Sequence, residues 1–87
     1  MSNSKLEVWG ALERCPECKN LKRDMDKRFI TYLFMDVDKY PDSRVELNIK
    51  RIPVLIEFGP DGKELNRVTG YNLNTKAQVD EILNRYW

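Results

Sequence analysis

The chain holds two cysteines, Cys15 and Cys18, within the stretch "ERCPECKN", and it has no histidine. Three chemistries are open to such a pair: a permanent staple, half of a metal site, or a dithiol that makes and breaks a disulfide. A staple across so short a loop contributes only about 2 kcal/mol in the chain-entropy model. A structural zinc site wants four ligands, commonly two such pairs or cysteines with histidines. One pair without histidine would hold zinc or an iron–sulfur cluster only with help from a second chain or a small thiol. Residues three apart on a helix stand about 5–6 Å from each other, which is the Cα separation a disulfide requires. A dithiol at this spacing opens and closes without rearranging the chain.

The two sulfurs are not expected to be equivalent. Pro16 suits the first helical position, where its missing N–H costs nothing. Cys15 then falls at the N-cap and Cys18 at the third helical position. From there Cys18, Leu21, Met25 and Phe29 recur at steps of three and four, with Lys19, Lys22, Arg23 and Asp26 between them. The pattern predicts an amphipathic helix with one buried stripe. Unpaired N–H groups and the positive end of the helix dipole favour a thiolate at Cys15, and the thiolate is the form that attacks disulfides. Cys18, one turn deeper, is expected to be more buried. Cys15 is therefore the expected nucleophile and Cys18 the resolving thiol. Arg14 and Lys19 favour the thiolate while Glu13 and Glu17 oppose it; all four read as a solvated rim.

The elements that must position this pair follow from periodicity. Its 87 residues make one domain, residues 1–87. Residues 5–11 read as a strand with Leu6 and Val8 on one face, and the β-branched and aromatic run 29–38 reads as a second. Strand, helix and strand within about 35 residues make a right-handed βαβ unit with parallel strands. A short helix is expected after Pro41. Residues 53–59 and 63–71 flank "GPDG" and predict an antiparallel hairpin, with Pro53 opening its strand. The apolar run Val54–Ile56 suggests a strand covered on both faces. Thr75 and Gln78 form a capping-box pattern ahead of a helix with Val79, Ile82, Leu83 and Tyr86 on its apolar stripe. The predicted order is βαβαββα, an α/β fold with a four-stranded mixed sheet and helices on both faces.

In this setting "CPEC" is similar to the Cys-Pro-x-Cys site of glutaredoxins. The stretch "FMDVDKYPDSRVELNIKRIPVLIEFGPDGKELNRVTGY" is similar to the matching part of thioredoxins, with its Asp-rich strand end, its Ile-Pro turn and its glycine-bearing hairpin. Nearly the whole chain thus resembles the thioredoxin superfamily, as a small glutaredoxin- or thioredoxin-like redoxin. The resemblance implies a thioredoxin-like fold of glutaredoxin size. It also implies a cis Pro53 beside the disulfide, and backbone hydrogen bonds from Ile52 to a bound partner. Pro16 and Glu17 between the cysteines, Arg51 beside Ile52, and Gly70 and Tyr71 of "TGYN" are the further expected substrate contacts. Arg51 reads equally as a solvated loop cation.

Several positions depart from the family pattern. Arg14 precedes the first cysteine where thioredoxins have tryptophan. Trp9 stands at the position of their buried aspartate, so a carboxylate acceptor for Cys18 is missing or is replaced by Glu7 or another group. Glu17 stands where glutaredoxins usually have an aromatic, and "TGYN" keeps one glycine and no acid of the signature that grips glutathione. Similar hybrids occur among phage redoxins and among small redoxins that supply electrons to ribonucleotide reductase.

The expected function is a dithiol–disulfide oxidoreductase acting on protein disulfides, with no bound cofactor and no metal. Electrons would come from thioredoxin reductase with NADPH or from glutathione. The alternatives are a glutathione-dependent glutaredoxin and a non-catalytic module bridged by zinc or an Fe–S cluster. A net charge of +1 gives no support to nucleic-acid binding, and no apolar run approaches the ~20 residues of a membrane span. "MSNSKLEVWG" lacks the features of a signal peptide, so a cytoplasmic monomer with reduced thiols is expected. Trp9 and Trp87 read as packing residues rather than partner contacts.

Overall fold

The computed structural model describes residues 4–87; Met1–Asn3, part of the stretch read for a signal peptide, lie outside the described residues. Seven elements follow in the expected order. They are β1 (Lys5–Gly10), α1 (Pro16–Lys27), β2 (Leu33–Asp36), α2 (Pro41–Glu46), β3 (Val54–Phe58), β4 (Glu64–Thr69) and α3 (Lys76–Leu83). The sheet order is β2-β1-β3-β4. β1 and β2 are parallel, with Val8 opposite Phe34, while β1–β3 and β3–β4 are antiparallel. Among the described residues no helix is long and apolar enough to cross a membrane.

Alternation along the strands divides the core into two layers. Leu6, Val8, Leu55 and Val68 pack with Leu21 and Met25 of α1 and Val79, Ile82 and Leu83 of α3. Trp9, Val54 and Ile56 face the other side and pack with Ala11, Val37 and Ile49. The apolar run in β3 is thus buried from both sides, as its composition predicts. Trp9 is a core residue. Trp87 is exposed, with the Arg28 guanidinium 4.7 Å over its ring.

Three local expectations need correction. Phe29 does not continue the buried stripe of α1: it is 92% exposed, and its φ is +56°. The helix ends in a Schellman motif, with Phe29 N–H bonded to Asp26 O and Ile30 N–H to Met25 O. That turn places Ile30 in the core instead. Strand β2 spans only Leu33–Asp36, because this turn uses the residues ahead of it. Thr75 is the N-cap of α3, yet its side chain makes no capping bond. Its hydroxyl instead donates to Gly70 O at 2.9 Å and accepts from Asn72 N at 3.1 Å, which fixes the β4–α3 loop.

At the sheet end remote from the cysteines, Glu57 of β3 is a charged side chain only 4% exposed. It accepts hydrogen bonds from Asn66 Nδ2 and Arg85 Nη2, each at 2.6 Å, and from the Tyr86 hydroxyl. Burial pushes its carboxyl pKa upward, but the three donors outweigh burial and hold it below the ordinary value. A depressed folded-state pKa contributes stability above the unfolded carboxyl pKa of about 4.3, and that stability is lost as pH falls through the folded value. Glu57→Gln is expected to cost about 1–3 kcal/mol at pH 7. Urea unfolding should show the gap to wild type narrowing below about pH 4; a gap independent of pH would contradict the assignment.

Candidate active site

Helix α1 begins at the end of β1 where the chain runs toward β2 and the hairpin, so the cysteines lie at the C-terminal ends of the two parallel strands. Cys15 is the N-cap, with φ −128° and ψ 100°, and Pro16 occupies the first turn. The Cys18 N–H donates to Cys15 Sγ at 3.1 Å. This is the bond a serine or aspartate cap would make, here made to sulfur. Cys15 and Cys18 form a disulfide with Cα atoms 5.2 Å apart. Cys15 keeps 8% exposure and Cys18 has 0%, so an outside thiol or disulfide reaches Cys15 first.

Gly10 explains how Cys18 is seated. A Cβ at position 10 would lie 2.7 Å from Cys18 Sγ and 3.2 Å from Cys18 Cβ. The glycine is required for close approach of helix to strand, and Phe34 Cζ lies 3.4 Å from the same point. Gly10 therefore occupies the strand position facing Cys18, on the same side as Leu6 and Val8. Trp9 and Glu7 point to the opposite side, where the indole Nε1 donates to Glu7 Oε1 at 2.9 Å. Glu7 is thus no acceptor for Cys18.

Of the four rim charges, Glu13 and Lys19 are exposed as expected, whereas Glu17 and Arg14 are engaged by partners far along the chain. Glu17 Oε1 accepts from Tyr71 N at 2.8 Å, linking the motif to the loop after β4. Gly70 N–H donates to Pro53 O at 2.7 Å, and a Cβ on Gly70 would lie 3.6 Å from Glu17 Oε1. Glu17, Pro53, Gly70 and Tyr71 are thereby gathered into one neighbourhood beside the disulfide-bearing helix. Tyr71 is buried, and its hydroxyl donates to Asp24 at 2.6 Å. Burial and then this partner raise the Tyr71 pKa. The Ile52–Pro53 bond is cis, the geometry the family resemblance implies. Pro53 is buried, Ile52 half-buried, and Pro16 and Arg51 are exposed.

Arg14 does not spend its charge on the thiol. Its guanidinium pairs with Asp38 beyond β2, Nη2 to Oδ1 at 2.9 Å and Nε to Oδ2 at 3.2 Å. The hydrogen bond from Arg14 holds the Asp38 carboxyl below its ordinary range. Among the described residues, no group of three or more His, Cys, Asp and Glu side chains is placed to hold a metal ion. Sequence reasoning missed Gly10, whose signal was a glycine closing a strand just ahead of the cysteine loop. It also missed the Glu17–Tyr71 and Arg14–Asp38 links, which join residues far apart in the chain.

Substituting Gly10→Ala is expected to cost about 1–3 kcal/mol of folding stability through overpacking. The cost should be larger in the disulfide form than in the dithiol form, because a reduced Cys18 side chain can rotate away from the new methyl. Denaturant unfolding of both forms checks this, and equal costs would refute the contact.

Comparison with known proteins places this geometry. No protein-family model matches the chain. It is 28% identical over 69 residues to the SPbeta prophage-derived thioredoxin-like protein YosR of Bacillus subtilis, covering 79% of this chain and 82% of that one. Among solved structures, thioredoxin from Fasciola hepatica superposes with a TM-score of 0.77 at 19% identity, over 97% of this chain and 81% of its own. Thioredoxin from Plasmodium falciparum gives 0.77 at 20% identity, covering 99% of this chain and 73% of its own. The NaTrxh thioredoxin of Nicotiana alata gives 0.77 at 20%, covering 99% and 75%.

Proposed function

We propose that this chain, which has the thioredoxin fold, is a dithiol–disulfide oxidoreductase that reduces protein disulfides through Cys15 and Cys18. The observation that carries the reading is the asymmetry of the pair: Cys15 at the helix cap retains 8% exposure, and Cys18 one turn deeper retains none.

In the reduced form, the Cys15 thiolate attacks one sulfur of a substrate disulfide. A mixed disulfide forms and the other substrate sulfur leaves as a thiolate. Cys18 then loses its proton and attacks Cys15 Sγ, releasing the second substrate thiolate. Two electrons pass to the substrate, and the Cys15–Cys18 disulfide is left for an external reductant to reopen. The Cys18 N–H and the helix dipole both stabilise negative charge on Cys15 Sγ. Arg14, engaged by Asp38, contributes less to that than its position suggests.

Protein substrates and a thioredoxin reductase are favoured over glutathione by the loop after β4. Its Tyr71 N–H is taken by Glu17 and its Gly70 N–H by Pro53 O. Two backbone donors of that loop are thus satisfied internally and are not free for an anionic small thiol. Contact with a partner polypeptide is assigned to Pro16 and Ile52–Pro53, with Arg51 at its margin. The chain acts as a cytoplasmic monomer, and delivery of electrons to ribonucleotide reductase is one reaction of this type.

Two measurements test the proposal. Thiolate absorbance of the reduced protein is expected to titrate Cys15 below the free-cysteine value of about 8.5, and a midpoint at or above it would refute the activation. Substrate-disulfide reduction is expected to be driven by thioredoxin reductase with NADPH and lost in Cys15→Ser. Turnover driven instead by glutathione with its reductase would name the glutaredoxin reading. Inactivity with both systems, with stoichiometric zinc or iron in the purified protein, would name the metal-bridged one.

A further inference from the structure

The helix that presents the disulfide has an outward face that the redox chemistry does not use. Lys19, Lys22, Arg23, Asp26 and Lys27 of α1, with Leu12 from the loop ahead of Cys15, line a shallow groove of about 680 Å³. Four of these side chains are cations and one is an acid, although the whole chain carries a net charge of only +1. Asp26 is already engaged, by Lys22 Nζ at 2.7 Å and by the Tyr32 hydroxyl at 2.7 Å. Lys19, Arg23 and Lys27 are exposed.

The surface changes sign across the cysteine loop. On the other side of Leu12, a second depression is lined by Glu13, Phe34, Asp36, Lys39 and Tyr40, so acids there offset its one lysine. Leu12, half-buried, borders both. Beyond Leu12 the cations thus give way to acids, and the basic stripe, in which Arg23 also pairs with Asp24 at 3.5 Å, runs away from Cys15 along the helix. From Lys19 to Lys27 the stripe runs about 12 Å at 1.5 Å per residue, the length of about four extended residues.

We propose that this groove docks an acidic segment of the disulfide-bearing partner protein. An apolar side chain of that segment would rest on Leu12 and carboxylates would follow Lys19 to Lys27. The inference rests on the redox reading above and adds the chemistry of the partner. Like-signed segments are repelled from the same flank, so the groove sets the orientation in which a partner disulfide meets Cys15 as well as the rate of encounter.

A binding arm tests the groove without any redox step. A peptide with one leucine and four glutamates, lacking cysteine, is titrated into the oxidised protein and followed by amide chemical shifts. Shifts are expected on Leu12 and along the outer face of α1, with no matching response to the lysine counterpart. Absent shifts, or equal shifts with both peptides, would overturn the proposal. In the kinetic arm the same two sequences carry a disulfide. The reduced protein is expected to reduce the glutamate peptide faster, on the order of tenfold at about 0.01 M salt. The advantage should vanish at about 1 M, and Lys19→Glu with Lys27→Glu should reverse it. Equal rates for the two peptides at low salt would also overturn the proposal. Selective binding without reduction of either peptide would support the groove while sinking the redox reading.

Discussion

The disulfide-bearing end of this molecule depends on one close approach. Gly10, at the end of the central strand β1, has no side chain, and the space a methyl group would fill is held by Cys18 Sγ. Helix α1 can therefore start close against the sheet, with its third residue fully buried and its cap retaining a small exposure. The asymmetry between the two sulfurs follows from that seating and from the 3.6-residue turn. Moving the helix outward by the width of a methyl group would expose Cys18 and blur the difference between the two sulfurs.

Around this contact, charged groups that look free in the sequence are committed to architecture. Glu17 lies between the cysteines, where its charge opposes a thiolate, yet one of its oxygens is held by the Tyr71 amide. Arg14 precedes Cys15 and pairs with Asp38 across the mouth of the sheet. The two links brace the cysteine loop from opposite sides, one to the loop after β4 and one to the loop after β2. Because Arg14 and Asp38 are both more than half exposed, their pair fixes geometry more than it adds stability. The buried Glu57, bonded to the exposed Arg85 and to Tyr86, lies at the other end of the sheet, where it ties the C-terminal segment to β3.

Much of this was legible in the sequence because its signals are local. The Pro16 helix start, the Cys18–Leu21–Met25 stripe, the "GPDG" hairpin and the apolar run of β3 each declare themselves within a few residues, and all appear where expected. The failures share a different cause. Phe29 fits the helical period, but whether the chain continues or turns there depends on a terminal hydrogen-bond pattern that Ile30 completes from the core. Thr75 has the right partner for a capping box, yet a loop that must reach Gly70 uses its hydroxyl first. The bond between Glu17 and Tyr71 spans 54 positions, and no periodicity reports on it. Which of Trp9 and Gly10 faces Cys18 is likewise set by the pleat and the helix seating, and it is Gly10.

Helix α2 differs from its neighbours in contributing no buried residue. Its second-layer neighbours Val37 and Ile49 are core residues, but they lie before and after it, so the helix rides on the ends of its own connections. Side-chain ties to this segment include Arg44 Nε to Ile49 O at 3.0 Å and Arg67 Nη1 to Leu47 O at 2.6 Å. Little apolar area is lost when such a turn of helix opens, so it can detach as a unit at far smaller free energy than global unfolding. The segment that leads toward Ile52 and Pro53 is accordingly less held by burial than α1 or α3. The sulfur pair, by contrast, sits on the helix that buries Cys18, Leu21 and Met25.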